Sequence, residues 1–444
     1  MNIHAYPPAD RPFLRYVMSN RKSGDARTRP NKHQPSQAKQ FEQLARNFKT
    51  AMAQRDYSAA CTAAQGALRI MPQHMGVIAD YALCLMRQQH YTQAHALYMR
   101  IYNAPAALQA QAGQTWLDGL AEVCGWLGLR EDTQRYGKQS MERSSARHSH
   151  GPNHPLANSP PAFQPDQPQR NIIAFTLFGD SPRYCESAVA NVQVAKELFP
   201  HWRCRIYLDG SVPLSVHQRL QEAGAQIIDM SGAAQDGIHP LMWRFLVVDD
   251  PEVDRYLIRD ADSLLSEREQ AAVAQWVASD YWFHHMRDYF THTELILAGL
   301  WGGCRGGLMT LKPLMQAWLA RQTDVTRFAD QIFLREIVWP TLHRSVLSHD
   351  DWFDFHGAVP FPAHEAIRWR TQSFHVGSNA SFQGIKGSSA KSDGERQGWR
   401  VVDQHGVQRC TYSALVKGGR WVADLPFFIV EPIANGQWRV ELMG

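Results

Sequence analysis

Six prolines fall within residues 144–170, SSARHSHGPNHPLANSPPAFQPDQPQR, where large apolar side chains are almost absent. Proline withholds a backbone donor and fixes φ, so neither a helix nor a central strand runs through such a stretch. The segment reads as a partly extended linker, and the chain must build separate structures on its two sides. Its histidines, His148, His150 and His154, are explained by a polar linker without invoking a metal. A length of 444 residues agrees, suggesting about three structural units.

Upstream, residues 36–143 are rich in Ala, Gln and Leu at helical spacing. The stretch DYSAACTAAQGALRIMP ends at Pro72 and HYTQAHALYMRIYNAP ends at Pro105. Tyr57 and Tyr91 are 34 residues apart, as are Ala60 and Ala94. Small residues at Ala60, Ala67 and Ala94 let antiparallel helices approach closely, and the prolines stop the second helix of each pair. That period, with its small residue three positions after an aromatic one, resembles a tetratricopeptide repeat. TWLDGLAEVCGWLGLREDTQRYGKQS would then be a divergent pair capping the stack, with a plain helical bundle as the alternative reading. Residues 1–35 show no periodicity and are expected to form a disordered basic tail.

Charge and cysteine usage exclude several classes. Residues 1–40 hold eight Lys/Arg against two Asp, so the remaining chain is close to neutral. A nucleic-acid binder built on a basic surface is thereby disfavoured. Seven cysteines without a C-x-x-C spacing fit a reducing compartment. No run approaches the ~18 apolar residues of a membrane span, so a cytoplasmic protein without a transmembrane segment is expected.

From Asn171 the pattern becomes strand–helix alternation: NIIAFTLFG, SAVANVQVAKELFP, CRIYLDG, VHQRLQEAG, AQIIDM. Such spacing predicts βαβ units and a mostly parallel, Rossmann-like sheet over 171–385. The run RYLIRDADSLLSERE then reads as a strand delivering Asp260 and Asp262, followed by a helix. Ser266 and Glu269 at capping-box spacing mark the start of that helix. The pair thus lies at a strand's carboxyl end, where open α/β sheets bind ligands; a solvated turn is the plainer reading. YWFHHM is expected as a short strand, AGLWGGCRGGLMTL as a glycine-rich strand, and 312–321 and 327–338 as helices. KGSSAKSDGERQG, 386–398, reads as a second linker, and 399–444 as a small β appendage.

The ordered set FTLFGDSPRY, RDADS, AGLWGGCRGGLMTL, FADQIFL and FHVGS resembles the glycosyltransferases of the GT-A fold, over a little under half of the chain. The resemblance implies an α/β GT-A-like catalytic domain after an N-terminal all-α domain. It also implies a nucleotide-sugar donor and a divalent cation, Mn²⁺ or Mg²⁺, held by Asp260, Asp262 and His375. A hard cation neutralises the diphosphate leaving group as a Lewis acid. Asp180, Tyr184, Arg244, Arg259, Asp260, Arg287 and Gly377 are implied substrate contacts, with Asp330, Gln331 and Asp288 as catalytic candidates. FADQIFL and FHVGS are similar to the retaining group around glycogenin and bacterial galactosyltransferases, whose motif continues Lys-Pro-Trp; this chain has SNASFQGIKG. Each residue also has an ordinary structural reading: a first-turn carboxylate for Asp330, a surface ion pair for Arg287 and Asp288, and a core position for Trp243.

Two functions follow. One is a metal-assisted glycosyltransferase whose helical repeats recruit a protein partner, or a protein or glycan acceptor. The other is a non-catalytic scaffold carrying a degenerate transferase domain. A nucleotidyltransferase is disfavoured because no phosphate-cradling glycine loop follows the first strand.

Overall fold

The computed structural model describes residues 37–232, 237–322, 325–369, 374–380 and 382–444, and the tail expected at 1–35 lies outside them. Two compact units are distinguished. The first runs to Ser144 and takes in Phe290–Thr293 and Trp352–Phe355; the second holds the rest.

The first unit is all-helical: α1 (Gln37–Ala53), α2 (Tyr57–Ile70), α3 (Met75–Arg87), α4 (Tyr91–Tyr102), a single turn α5 (Ala106–Gln109), α6 (Trp116–Trp126) and α7. The last, Arg130–His148, runs past the expected boundary at 144. Tyr57 and Tyr91 each open the second helix of a pair, and α2 and α4 end just before Pro72 and Pro105. Ala60, Ala64, Ala67 and Ala94 are fully buried, which is what close helix approach requires. A buried ion pair, Arg87 to Glu122 at 3.3 Å, joins α3 to α6. Ser140 Oγ donates to Asp118 Oδ1 at 2.5 Å, tying α7 to α6.

The second unit is built on a seven-stranded sheet in the order β3-β2-β1-β4-β6-β5-β7. Its strands are β1 (Asn171–Leu177), β2 (Arg203–Leu208), β3 (Gln226–Asp229), β4 (Arg255–Arg259), β5 (Phe283–Arg287), β6 (Leu300–Cys304) and β7 (Val346–Asp350). Only β6 runs antiparallel to its neighbours β4 and β5. Strands β1 and β4 pair in parallel, Asn171 with Arg255 through Phe175 with Arg259. Their carboxyl ends therefore emerge side by side. All residues of both are buried, the apolar runs Ile172–Phe175 and Tyr256–Ile258 being covered on both faces as a parallel sheet requires.

Helices α8 (Pro182–Leu198), α9 (Leu214–Glu222), α10 (Glu267–Val277), α11 (Leu311–Leu319), α12 (Ala329–Phe333) and α13 (Trp339–Leu342) complete this fold. The expected helix over 327–338 is divided, with a π-helical stretch, Leu334–Val338, between α12 and α13. The expected linker at 386–398 is partly strand. β8 (Gln383–Ser388) pairs with β11 (Arg420–Leu425), while β9 (Arg396–Asp403) lies between β10 (Gln408–Leu415) and β12 (Trp438–Met443). Partners more than thirty residues away stabilise β8, so its polar, glycine-containing sequence reads locally as a hinge. A helix, α14 (Phe427–Ala434), completes the appendage.

The glycines of β6 have a steric reason. A methyl group at Gly302 would stand 2.5 Å from the backbone oxygen of Tyr256 on β4, which cannot turn aside. Gly302→Ala should therefore lower stability by about 1–3 kcal/mol, read by urea or thermal unfolding.

Candidate functional site

Strand β4 ends at Arg259, and the next four residues turn back, with Ser263 N–H donating to Asp260 O at 3.3 Å. Ser266 then caps α10, its Oγ accepting from Glu269 N–H at 3.4 Å. The reciprocal half of the expected capping box is missing, because the Glu269 side chain is paired with Arg259.

Asn191, fully buried on α8, holds this loop from behind. Its Nδ2 donates to Ser263 O at 2.8 Å and to Ala261 O at 3.4 Å, and its Oδ1 accepts from Leu265 N–H at 2.9 Å. One amide thus satisfies three backbone groups of a buried turn, a role for which nothing in the local sequence marks Asn191.

The late segment FHVGS is sewn to the same loop. Ala380 N–H donates to Asp262 O at 2.8 Å, and Ser263 Oγ donates to Gly377 O at 3.0 Å. Gly377 has φ +80°, and a side chain there would meet Leu300 at 2.7 Å, so glycine is required twice over. Asp288, at the carboxyl end of β5, accepts from Val376 N–H at 3.0 Å and faces Arg268 Nε at 3.6 Å. Burial pushes its carboxyl up to about 7.

Two arginines answer the two aspartates. Arg244 belongs to a 3₁₀ helix, Pro240–Asp249, and its backbone N–H donates to Thr176 Oγ1 on β1 at 2.9 Å. Its side chain is buried between Asp260 Oδ1 at 2.5 Å and Asp330 Oδ2 at 2.9 Å. Asp330 lies in the first turn of α12 with its Oδ1 accepting from Gln331 N–H, and burial raises it to about 6 against the pull of Arg244. Arg183, in the first turn of α8, donates from Nη2 to Asp262 Oδ2 at 2.6 Å. Its guanidinium lies over the Phe382 ring at 3.9 Å and the Tyr184 ring at 4.9 Å. Burial raises the Asp262 carboxyl, with Arg183 opposing and Asp260 adding to the shift. Asp260 remains 41% exposed, and Gly299 before β6 gives it room: any side chain there would collide with its carboxylate.

Several expected contacts are used elsewhere. Arg259 is buried and donates to Glu269, Ile258 O and Trp301 O, because a strand residue next to Asp260 points into the packed layer. Arg287 is equally buried and donates to the carbonyls of Glu294 and Leu295. Asp180 is ion-paired with Arg396 of β9. Trp243 is core, its Nε1 donating to Ile238 O at 3.2 Å. Tyr184 and Phe178 are large aromatics left 38% and 40% exposed beyond β1. Phe178, Arg183, Asn191 and Phe382 escape the sequence reading, since each acts through a partner distant in the chain.

Of the expected metal-holding residues, Asp260 and Asp262 lie in the loop after β4 and His375 lies in the 374–380 segment. Among the described residues no three His, Cys, Asp or Glu side chains gather as a metal-holding set. His375 stacks face to face on Tyr289, with ring centroids 3.9 Å apart. Two carboxylates at a strand end still fit a hard cation of the Mg²⁺ type, which takes one or two protein carboxylates and completes its shell with water and substrate phosphate.

Because Asp330 titrates higher in the folded chain than in the unfolded one, its neutral form favours folding. That contribution is complete below about pH 4 and lost as pH rises through about 6. Between pH 4 and 6 the wild type should lose up to about 1.4 kcal/mol per pH unit that Asp330→Asn does not lose, read by chemical denaturation across that range.

No family model matches the chain, and no curated protein matches it. Among solved structures it resembles, weakly, a variant of the Thermobaculum terrenum O-GlcNAc transferase. The identity is 16%, over 51% of this chain and 47% of that one, with a TM-score of 0.25. The chain thus spans about half the length of that structure, and so loose a likeness carries no argument about chemistry.

Proposed function

We propose that this chain is a glycosyltransferase that draws on a nucleotide-sugar donor, and that its helical unit engages a protein partner or acceptor. The observation that carries the reading is the convergence of Asp260, Asp262 and Asp330 with Arg183 and Arg244 at the carboxyl ends of β1 and β4. This is the edge at which open α/β sheets take ligands. The exposed rings of Tyr184 and Phe178 offer a face to a nucleobase.

Among these five groups three carboxylates face two guanidinium groups, so a dianionic diphosphate cannot enter without added positive charge. Asp260 and Asp262 would hold a divalent cation arriving with the donor, and its chemistry would be Lewis-acid neutralisation of the leaving diphosphate. Arg244 fixes Asp260 and Asp330 relative to each other. Gln331, whose Oε1 is buried without a hydrogen-bond partner among the described residues, is available to a sugar hydroxyl. In transfer, the bond from the anomeric carbon to the diphosphate oxygen breaks, and its electron pair leaves on the diphosphate. The acceptor oxygen forms the new bond, and its proton passes to the released phosphate oxygen. A retaining outcome is the one in keeping with an Asp-Gln pair beside the sugar. In the helical unit, stacked helix pairs of this kind present an extended groove to peptide segments, which favours a protein partner or acceptor.

Calorimetric titration of UDP-, GDP-, ADP- and CDP-sugars with Mn²⁺ tests this. At least one donor should bind, and chelation of the cation should weaken it more than about tenfold. Asp262→Asn should lower transfer or donor hydrolysis roughly 100-fold with an unchanged melting temperature. Absence of metal-dependent donor binding across the series would leave the scaffold reading.

A further inference from the structure

Arg183 is the member of the site that the proposed reaction leaves without a role. Its guanidinium carries five N–H donors. One, on Nη2, meets Asp262 Oδ2 at 2.6 Å, while Nε makes no hydrogen bond among the described residues. The group is not locked into the core. Its side chain is 21% exposed, against 5% for Arg244, and it rests on the faces of Phe382 and Tyr184 rather than in a cage of acceptors. It also rises from the first turn of a 17-residue helix, whose dipole favours an anion at that end.

A cation bound at Asp262 and a guanidinium 2.6 Å from its oxygen claim the same lone pairs. They cannot both be satisfied at full strength, since two positive centres would then stand within a few ångström of each other.

Resting on the donor-dependent reading above, we propose that Arg183 is a built-in counter-ion that occupies Asp262 until the donor arrives. It holds the site against cation binding alone and then turns its unused donors to the diphosphate. Binding is consequently coupled: the protein takes up the cation weakly by itself and tightly with a nucleoside diphosphate. Replacing Arg244 would not have this effect, because Arg244 is buried between Asp260 and Asp330 and fixes their geometry.

The test measures Mn²⁺ binding to the full chain by the paramagnetic resonance signal of free Mn²⁺, alone and with UDP, GDP, ADP or CDP. Wild type, Arg183→Met, Arg183→Gln and Asp262→Asn are compared, each checked for folding by its melting curve. Arg183→Met should bind Mn²⁺ alone about tenfold more tightly than wild type, the effect of removing one charge-assisted hydrogen bond from the carboxylate. Its further gain from the nucleotide should be smaller than that of the wild type. Arg183→Gln must show the same gain and decides the matter if the methionine variant does not fold. Unchanged or weaker Mn²⁺ binding by the folded variants, with nucleotide-stimulated binding still lost in Asp262→Asn, would overturn the counter-ion role and leave the transferase reading intact. If no protein binds Mn²⁺ in an Asp262-dependent way with any nucleotide, both fall together.

Discussion

The side chain of Arg244 is 5% exposed, and a guanidinium so buried is costly unless its charge and N–H groups are answered. Asp260 and Asp330 supply the answer from positions seventy residues apart, on the loop after β4 and in the first turn of α12. The ion triplet therefore fixes where α12 begins relative to the central sheet. Its backbone extends the constraint to β1 through Thr176. Both proposed ends of the reaction, the diphosphate side at Asp260 and the sugar side at Asp330, depend on this one cation for their relative placement.

Around that pivot the remaining polar groups divide by burial. Asn191, Asp288 and Ser263 spend their hydrogen bonds on backbone, which gives the 260–266 loop and the 374–380 segment fixed shapes. Arg259 and Arg287 belong with these supports despite carrying the charge that a phosphate contact would need. Asp260, Arg183 and Tyr184 keep access to solvent and hence to a ligand. A partly exposed pair such as Arg183–Asp262 is weak enough to be exchanged for a stronger ligand. The buried Arg244 triplet is not.

Much of this was legible in residues close together in the chain. The 34-residue spacing of Tyr57 and Tyr91 reports helix pairs because each tyrosine opens the second helix of its pair. The apolar run 256–258 followed by Ser266 confines Asp260 and Asp262 to a strand-end loop by local backbone rules alone. Pairing at a distance was not legible. The same Asp-x-Asp spacing is compatible with a metal-holding pair or with two separate arginine pairs, and it is the folded chain that brings Arg244 and Arg183 to the two aspartates.

The sequence by itself determined the division at the proline-rich segment, the helical character upstream, the strand–helix alternation downstream and the position of the two aspartates at a strand end. Each follows from dihedral preference and hydrophobic period, which act over a few residues. Tertiary structure alone decided that β6 inserts antiparallel, that 383–388 is a strand, and which arginines reach the aspartates. Those outcomes depend on which surfaces remain to be covered once the local elements exist. A guanidinium finds its carboxylate only after the chain has closed.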